Sequence, residues 1–200
     1  MGPRFGYVGA MPRPLLRRLE IVLLFAVLAA LAGCANARTV VLSRHAQAFG
    51  NLGSEQRAGL TGDQLDSLTP EGQTHADRAG VELRSEGVDL VLASPLGRAM
   101  QTGARIALKS GVDLREAPQL LPRTREESDQ EVIDRVLALL RANEGESVVL
   151  VTHSDVVGVF LGWLRSQPGA ADLYPAELGT GQRVVMREDD SEFEFVEGPR

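Results

Sequence analysis

Three short apolar runs decide most of what this 200-residue chain can become. Residues 39–43 (TVVLS), 88–93 (VDLVLA) and 147–152 (SVVLVT) are nearly continuous in aliphatic side chains. A strand with one face in water alternates apolar and polar residues. A strand covered on both faces does not, and these runs read as the second kind. Residues 112–114 read as a shorter strand. Between the runs lie helical segments. Thr69 followed by Pro70 and Glu71 reads as an N-cap with proline at the first helical position. That helix runs to about Ser85, with Gly87 ending it. Pro95 opens a second helix, to about Lys109. Residues 128–141 place Val132, Ile133, Val136, Leu137, Leu139 and Leu140 on one stripe. Residues 154–165 form a fourth helix with Phe160, Leu161 and Trp163 in its core face. Residues 183–186 and 193–196, around Asp189-Asp190, read as a hairpin. Strands alternating with helices imply an α/β fold, a three-layer α/β/α sandwich with a mostly parallel central sheet.

The first 37 residues are a different material. They hold four of the 21 basic and one of the 27 acidic residues, so the remainder carries 17 against 26, a net of −9. That balance argues against a nucleic-acid partner. Met11, a candidate start, opens a basic head that includes Arg13, Arg17 and Arg18. Twelve apolar residues follow, 21–32, the length of a signal-peptide core and short of the roughly 20 that span a bilayer. The run ends Leu31-Ala32-Gly33-Cys34, which resembles the bacterial lipobox. The expectation is a signal peptide over 1–33, a short tether over 34–38 and one domain over 39–200. Acylated Cys34 would anchor that domain to a lipid bilayer in the cell envelope, on the exported side. Cleavage after Ala37, where Ala35-Asn36-Ala37 has the small-x-small pattern, would instead release a soluble secreted or periplasmic protein. A single cysteine excludes an intrachain disulfide framework.

In a parallel sheet, ligands bind beyond the carboxyl ends of the strands. The first run ends in Arg44-His45, the second in Ser94-Pro95 with Arg98 one turn on, and the last in Thr152-His153. Two arginines and two imidazoles would therefore converge on one edge. Guanidinium forks hold phosphate oxygens bidentately and stay charged. Imidazole can attack phosphorus, and its ordinary pKa near 6.5 leaves much of it neutral at pH 7. His75 lies in a polar stretch of a helix without metal-ligand spacing and reads as structural.

These residues carry a resemblance. Arg44-His45-Ala46-Gln47-Ala48-Phe49-Gly50-Asn51 is similar to the Arg-His-Gly-x-x-x-x-Asn signature of the histidine phosphatase superfamily, with its phosphoglycerate mutase-like fold. Leu68-Thr69-Pro70-Glu71-Gly72 resembles that family's Leu-Thr-x-x-Gly. The stretch from Ser94 to Thr102 resembles its Ser-Pro-Leu-x-Arg-Ala-x-Gln-Thr. Glu127-Ser128 with Arg135 resembles its Glu-Ser…Arg segment, and Thr152-His153-Ser154-Asp155 its second-histidine block. The resemblance implies that His45 becomes phosphohistidine, that Arg44, Arg98 and His153 hold the phosphoryl oxygens, and that Asn51 lines the pocket. It implies no metal and no cofactor.

Two departures matter. Ala46 stands where the family has glycine. The stretch that brings the family's general-acid glutamate is contracted to residues 121–126 (LPRTRE), and Arg123 falls about where the glutamate would be. Glu126 is the first candidate acid, followed by Glu127, Asp155 and Glu116; Asp155 also opens a helix, where a carboxylate is electrostatically favourable. The expected function is a phosphomonoester hydrolase acting on a small phosphorylated substrate or a phosphoprotein. The contraction favours good leaving groups, a phosphohistidine or an aryl ester, or else a relocated acid. A phosphoglycerate mutase-type phosphotransferase and a non-catalytic phosphate-binding lipoprotein are the alternatives.

Overall fold

The computed structural model describes residues 38–167, 174–187 and 193–196. The expected signal peptide, Cys34, residues 34–37 of the expected tether and Asp189-Asp190 lie outside the described residues. Strands β1 (Thr39–Arg44), β2 (Leu90–Ala93), β3 (Asp113–Glu116), β4 (Val148–Thr152), β5 (Arg183–Arg187) and β6 (Phe193–Val196) form one sheet in the order β3-β2-β4-β1-β5-β6. The first four are mutually parallel, while β5 pairs antiparallel with β1 and β6 antiparallel with β5. The helices are α1 (Ser54–Arg57), α2 (Gly62–Leu65), α3 (Pro70–Leu83), α4 (Gly97–Ser110), α5 (Asp129–Ala142) and α6 (Ser154–Arg165).

The apolar runs are covered on both faces. Val40 and Leu42 of β1, Leu90 and Leu92 of β2, and Val148 and Leu150 of β4 pack with Val132, Val136, Val156 and Phe160 of α5 and α6. The alternate residues Val41, Val91 and Val149 pack with Leu83, Ile106 and Ala107 of α3 and α4. This is the expected three-layer arrangement. Each of the valine, leucine, isoleucine and phenylalanine side chains among them contributes roughly 1.5–3 kcal/mol by leaving water. Strand β3 is the exception: an edge strand reading Asp-Leu-Arg-Glu, with only Leu114 half-buried. Charge on an edge strand discourages pairing with another chain.

Caps set the helix boundaries. Thr69 accepts the Gly72 N–H at 3.0 Å and starts α3 at Pro70, as expected. Ser128 and Glu131 form a reciprocal capping box that starts α5. Helix α4 begins at Gly97, two residues after the expected Pro95, because its cap comes from elsewhere in the chain. The Asp66 carboxylate accepts the Gly97 N–H at 2.6 Å. The single-turn helices α1 and α2 were not expected, since one turn is too short to show a 3.6-residue period.

Arg38, the last residue of the expected tether, belongs to the folded body. Its guanidinium donates to the carbonyls of Leu140 and Glu146, at 2.8 and 3.0 Å, at the C-terminal end of α5. A cation suits that end of a helix, where carbonyls lack partners. No helix among the described residues is long and apolar enough to cross a membrane.

Candidate active site

The carboxyl ends of β1, β2 and β4 are tied to one another. The His45 N–H donates to the Thr152 carbonyl at 2.9 Å, and the Ser94 N–H to the Val151 carbonyl at 3.0 Å. The residues that follow these strands therefore gather on one edge. The chain then turns beneath α3, where a Cβ on Gly72 would fall 2.0 Å from the Gln47 carbonyl oxygen. Only glycine permits that approach. The Ala46 N–H donates to Thr102 Oγ1 at 3.0 Å, and that hydroxyl donates to the Arg98 carbonyl at 2.7 Å. The Ala46 methyl, absent from the family signature, is fully buried in a small cluster with Ala48, Leu68 and Ala76. The departure from glycine is absorbed by packing.

His45 is 3 % exposed, and its two ring nitrogens are distinguished by their partners. Nδ1 lies 2.8 Å from the Ala46 carbonyl oxygen, which can only accept, so Nδ1 carries the proton. Arg98 Nε, which can only donate, lies 3.1 Å from Nε2. Nε2 therefore presents a lone pair. Burial, followed by the Arg98 and Arg44 charges, lowers the His45 pKa from 6.5 to about 4, against a raising effect of the Ala46 hydrogen bond. The ring is neutral at pH 7 and nucleophilic at one nitrogen.

His153 stands beside it, with ring centroids 5.3 Å apart. Its Nε2 is 2.8 Å from Ser94 Oγ, and its buried Nδ1 has no partner. With the serine donating, Nδ1 carries the proton and is available to a phosphoryl oxygen. Burial, then the neighbouring His45 and Arg98, lowers the His153 pKa to about 4. Arg44 donates through Nη1 to the Leu178 carbonyl at 3.0 Å and keeps a buried Nε without a partner. Burial lowers its pKa, Glu177 opposes that and Arg98 reinforces it. A guanidinium stays charged under such conditions.

Arg44, His45, Arg98 and His153 line one open pocket of about 470 Å³. Gly50, Asn51, Leu65, Pro122, Ser154 and Asp155 complete its wall. Asn51 both lines the pocket and accepts the Ala48 N–H at 2.8 Å, so it also shapes the turn. Glu126 is a correction. It is exposed and lines a separate depression with Thr124, Glu127, Glu131 and Arg135. Glu127 is held by Arg135 at 2.7 Å, and Glu116 sits exposed on β3. Arg123 turns to an ion pair with Asp129 at 2.5 Å. Asp155 is the one candidate acid in the pocket wall; its Oδ2 accepts the Arg123 N–H at 2.7 Å. Among the described residues, no three His, Cys, Asp or Glu side chains gather as a metal site.

Sequence reasoning missed three supporting groups: Asp66, Thr102 and the Ser94 hydroxyl. Ser94 and Thr102 lie inside motifs but carry no signal of their partners. Asp66 precedes the Leu-Thr block by two residues and reads as an ordinary turn residue.

Comparisons with known proteins agree with this geometry. Residues 40–126 match the sequence model of the histidine phosphatase superfamily (branch 1). That span includes Arg44, His45 and Arg98 and stops short of His153. No curated protein matches the sequence. Among solved structures, the chain is similar to a mycobacterial glucosyl-3-phosphoglycerate phosphatase complexed with VO3. The two are 21 % identical with a TM-score of 0.59, over 82 % of this chain and 100 % of that one. It is also similar to a candidate phosphohistidine phosphatase, SixA, from Agrobacterium tumefaciens, at 20 % identity and TM-score 0.56, over 82 % and 99 %. A candidate alpha-ribazole-5'-P phosphatase from Escherichia coli is 18 % identical with TM-score 0.57, over 82 % and 97 %. Likeness at this identity speaks for the fold. The sequence match is to part of the chain: residues 40–126 are similar to the histidine phosphatase superfamily, and Arg44, His45 and Arg98 of the pocket lie within them.

Proposed function

We propose that this protein hydrolyses phosphomonoesters through a phosphohistidine at His45. The observation that carries this is the locked tautomer: Nδ1 is tied to the Ala46 carbonyl and the Nε2 lone pair faces Arg98. In the first step Nε2 attacks phosphorus, the bond to the ester oxygen breaks, and that oxygen takes a proton. In the second, water attacks phosphorus, the P–N bond breaks, and the water proton leaves to a base. Arg44, Arg98 and His153 hold the three oxygens whose charge spreads in both transition states. Asp155 is the group in reach of both proton transfers. It delivers the proton to an alcohol leaving group and takes one from water in return. The test is hydrolysis of phosphorus-labelled p-nitrophenyl phosphate by the full chain, with an alkaline denaturing quench to trap labelled enzyme. Base-stable, acid-labile label in wild type and none in His45→Asn is expected. Turnover without any such label would reject the covalent route.

A second reading is favoured by Arg123, which stands where an acid was expected and pairs away from the pocket. An activated aryl ester leaves without a proton, and a phosphohistidine protonated at its second ring nitrogen leaves as neutral imidazole without a proton from the enzyme, so a phosphoprotein substrate is compatible with this site. Catalysis that is fast on phosphohistidine peptide and negligible on alkyl phosphates supports it.

We further propose export and lipid anchoring at Cys34, supported by the basic head, the apolar run and the Leu-Ala-Gly-Cys ending. Acyl chains bind membranes by about 0.8 kcal/mol per buried methylene. Labelled fatty acid is expected in wild type and not in Cys34→Ser; equal labelling of both removes the anchor.

A further inference from the structure

Arg98 has two jobs in this site and one carboxylate that reconciles them. Its Nη1 donates to Asp66 Oδ1 at 2.5 Å, while its Nε donates to the nucleophilic nitrogen of His45. The other oxygen of Asp66 accepts the Gly97 N–H at 2.6 Å. The residue at the N-cap position of α4, Leu96, offers no side-chain cap, so Asp66 supplies the missing one from 31 residues upstream. The approach is close: a Cβ at position 97 would fall 2.8 Å from Asp66 Oδ2 and 3.0 Å from the Asp66 carbonyl oxygen, so a side chain there would push the carboxylate off its place. Asp66 also ends α2, whose last residue, Leu65, lines the pocket, and whose backbone crowds the wall at Gly50.

We propose that Asp66 is a positioning residue for the phosphoryl clamp, tying Arg98 and the start of α4 to the pocket wall formed by residues 50–65. This rests on the phosphatase reading for its consequence in turnover, though not for its consequence in phosphate binding. An arginine on a flexible stem loses several rotamers when it grips a phosphate. Held by Nη1 at one end, Arg98 keeps its Nε aimed at His45 Nε2, the point from which phosphorus is attacked. An arriving phosphoryl oxygen then replaces Nε2 as the acceptor of that N–H. The nucleophile's lone pair is released in the same movement, and the arginine does not have to be found and ordered.

Asp66→Asn separates the two bonds, because an amide oxygen still accepts the Gly97 N–H while the ion pair to Arg98 is gone. The expected result is a thermal midpoint close to wild type, with about tenfold weaker inorganic phosphate binding by calorimetry. On p-nitrophenyl phosphate, kcat/KM falls by a similar factor, and Asp66→Glu recovers part of it. In an Arg98→Ala background, Asp66→Asn has no further effect on either quantity. Phosphate affinity within twofold of wild type in Asp66→Asn overturns the proposal. So does an equal loss in the Arg98→Ala background, which would mean that Asp66 acts without Arg98. A wild-type chain that binds phosphate but does not turn over sinks the hydrolase reading and leaves the binding comparison decisive for Asp66. A wild-type chain that binds no phosphate overturns both.

Discussion

Two neighbouring hollows, sharing Pro122, are built from similar residue types and differ in how their cations are neutralised. In the second hollow, Arg135 meets both oxygens of Glu127, at 2.7 and 3.2 Å, and donates to the carbonyls of Gln119 and Leu121. Its donors are spent on the fold. In the first, Arg98 meets one carboxylate oxygen and an imidazole, and Arg44 keeps a buried Nε–H unused. Two neutral histidines add polarity without negative charge. An arginine saturated by a carboxylate and carbonyls is a brace. One left short of acceptors beside a lone pair is a site for an anion.

The comparison breaks most sharply at the histidines. His45→Ala is expected to lower kcat by at least about 10³-fold, as loss of a nucleophile does. His75→Ala, on α3 beside Glu71, is expected to leave it within about threefold. Similar losses in both would show that histidine matters here for packing alone.

The two arginines come next, and their effects should be opposite in kind. Arg98→Ala should lower kcat/KM by about 10²-fold with little change in the urea midpoint. Arg135→Ala should destabilise by about 2–3 kcal/mol, since Glu127 and two carbonyls lose their donor, and leave kcat of the folded protein near wild type. A urea titration and a rate on each variant are enough; if the two profiles coincide, the distinction between brace and site is wrong.

The carboxylates give a smaller contrast. Asp155→Asn should slow alkyl phosphate hydrolysis by about 10–10²-fold and p-nitrophenyl phosphate hydrolysis much less, because p-nitrophenolate leaves without a proton. Glu126→Gln should leave both rates within twofold. The reverse pattern would restore Glu126 as the acid.

The smallest effect expected is on stability against pH. His45 and His153 titrate near 4 when folded and near 6.5 when unfolded. Below 6.5 the unfolded chain takes up protons that the folded one refuses, so their contribution is present above about 6.5 and is lost as pH falls towards 4. The urea midpoint should drop between pH 7 and pH 4.5, and drop less in His45→Asn. An equal drop in both would assign the pH dependence to other groups.

Much of this was legible in the chain itself. The double-sided apolar runs required a sheet covered on both faces, and Thr69 and Ser128 announced two helix starts that the fold keeps. Arg44, His45, Arg98 and His153 were legible because strand ends in a parallel sheet share an edge, whatever the details of packing. Glu126 was misread for the opposite reason. Its place depended on how six residues, 121–126, cross from one element to the next, and no periodicity constrains so short a segment. The helix expected at Pro95 began at Gly97 because its cap is Asp66, a partner 31 residues away.

By itself, then, the sequence determined the layers, the edge on which the chemistry gathers and the identity of the four groups there. Those follow from burial patterns and from the direction of parallel strands, which are local properties. Only the tertiary structure decided which nitrogen of His45 keeps its lone pair, which carboxylate reaches the pocket and which arginine is spent as a brace. Each of those depends on an acceptor or donor brought from a distant segment, and hydrogen bonding across such distances leaves no period in the chain.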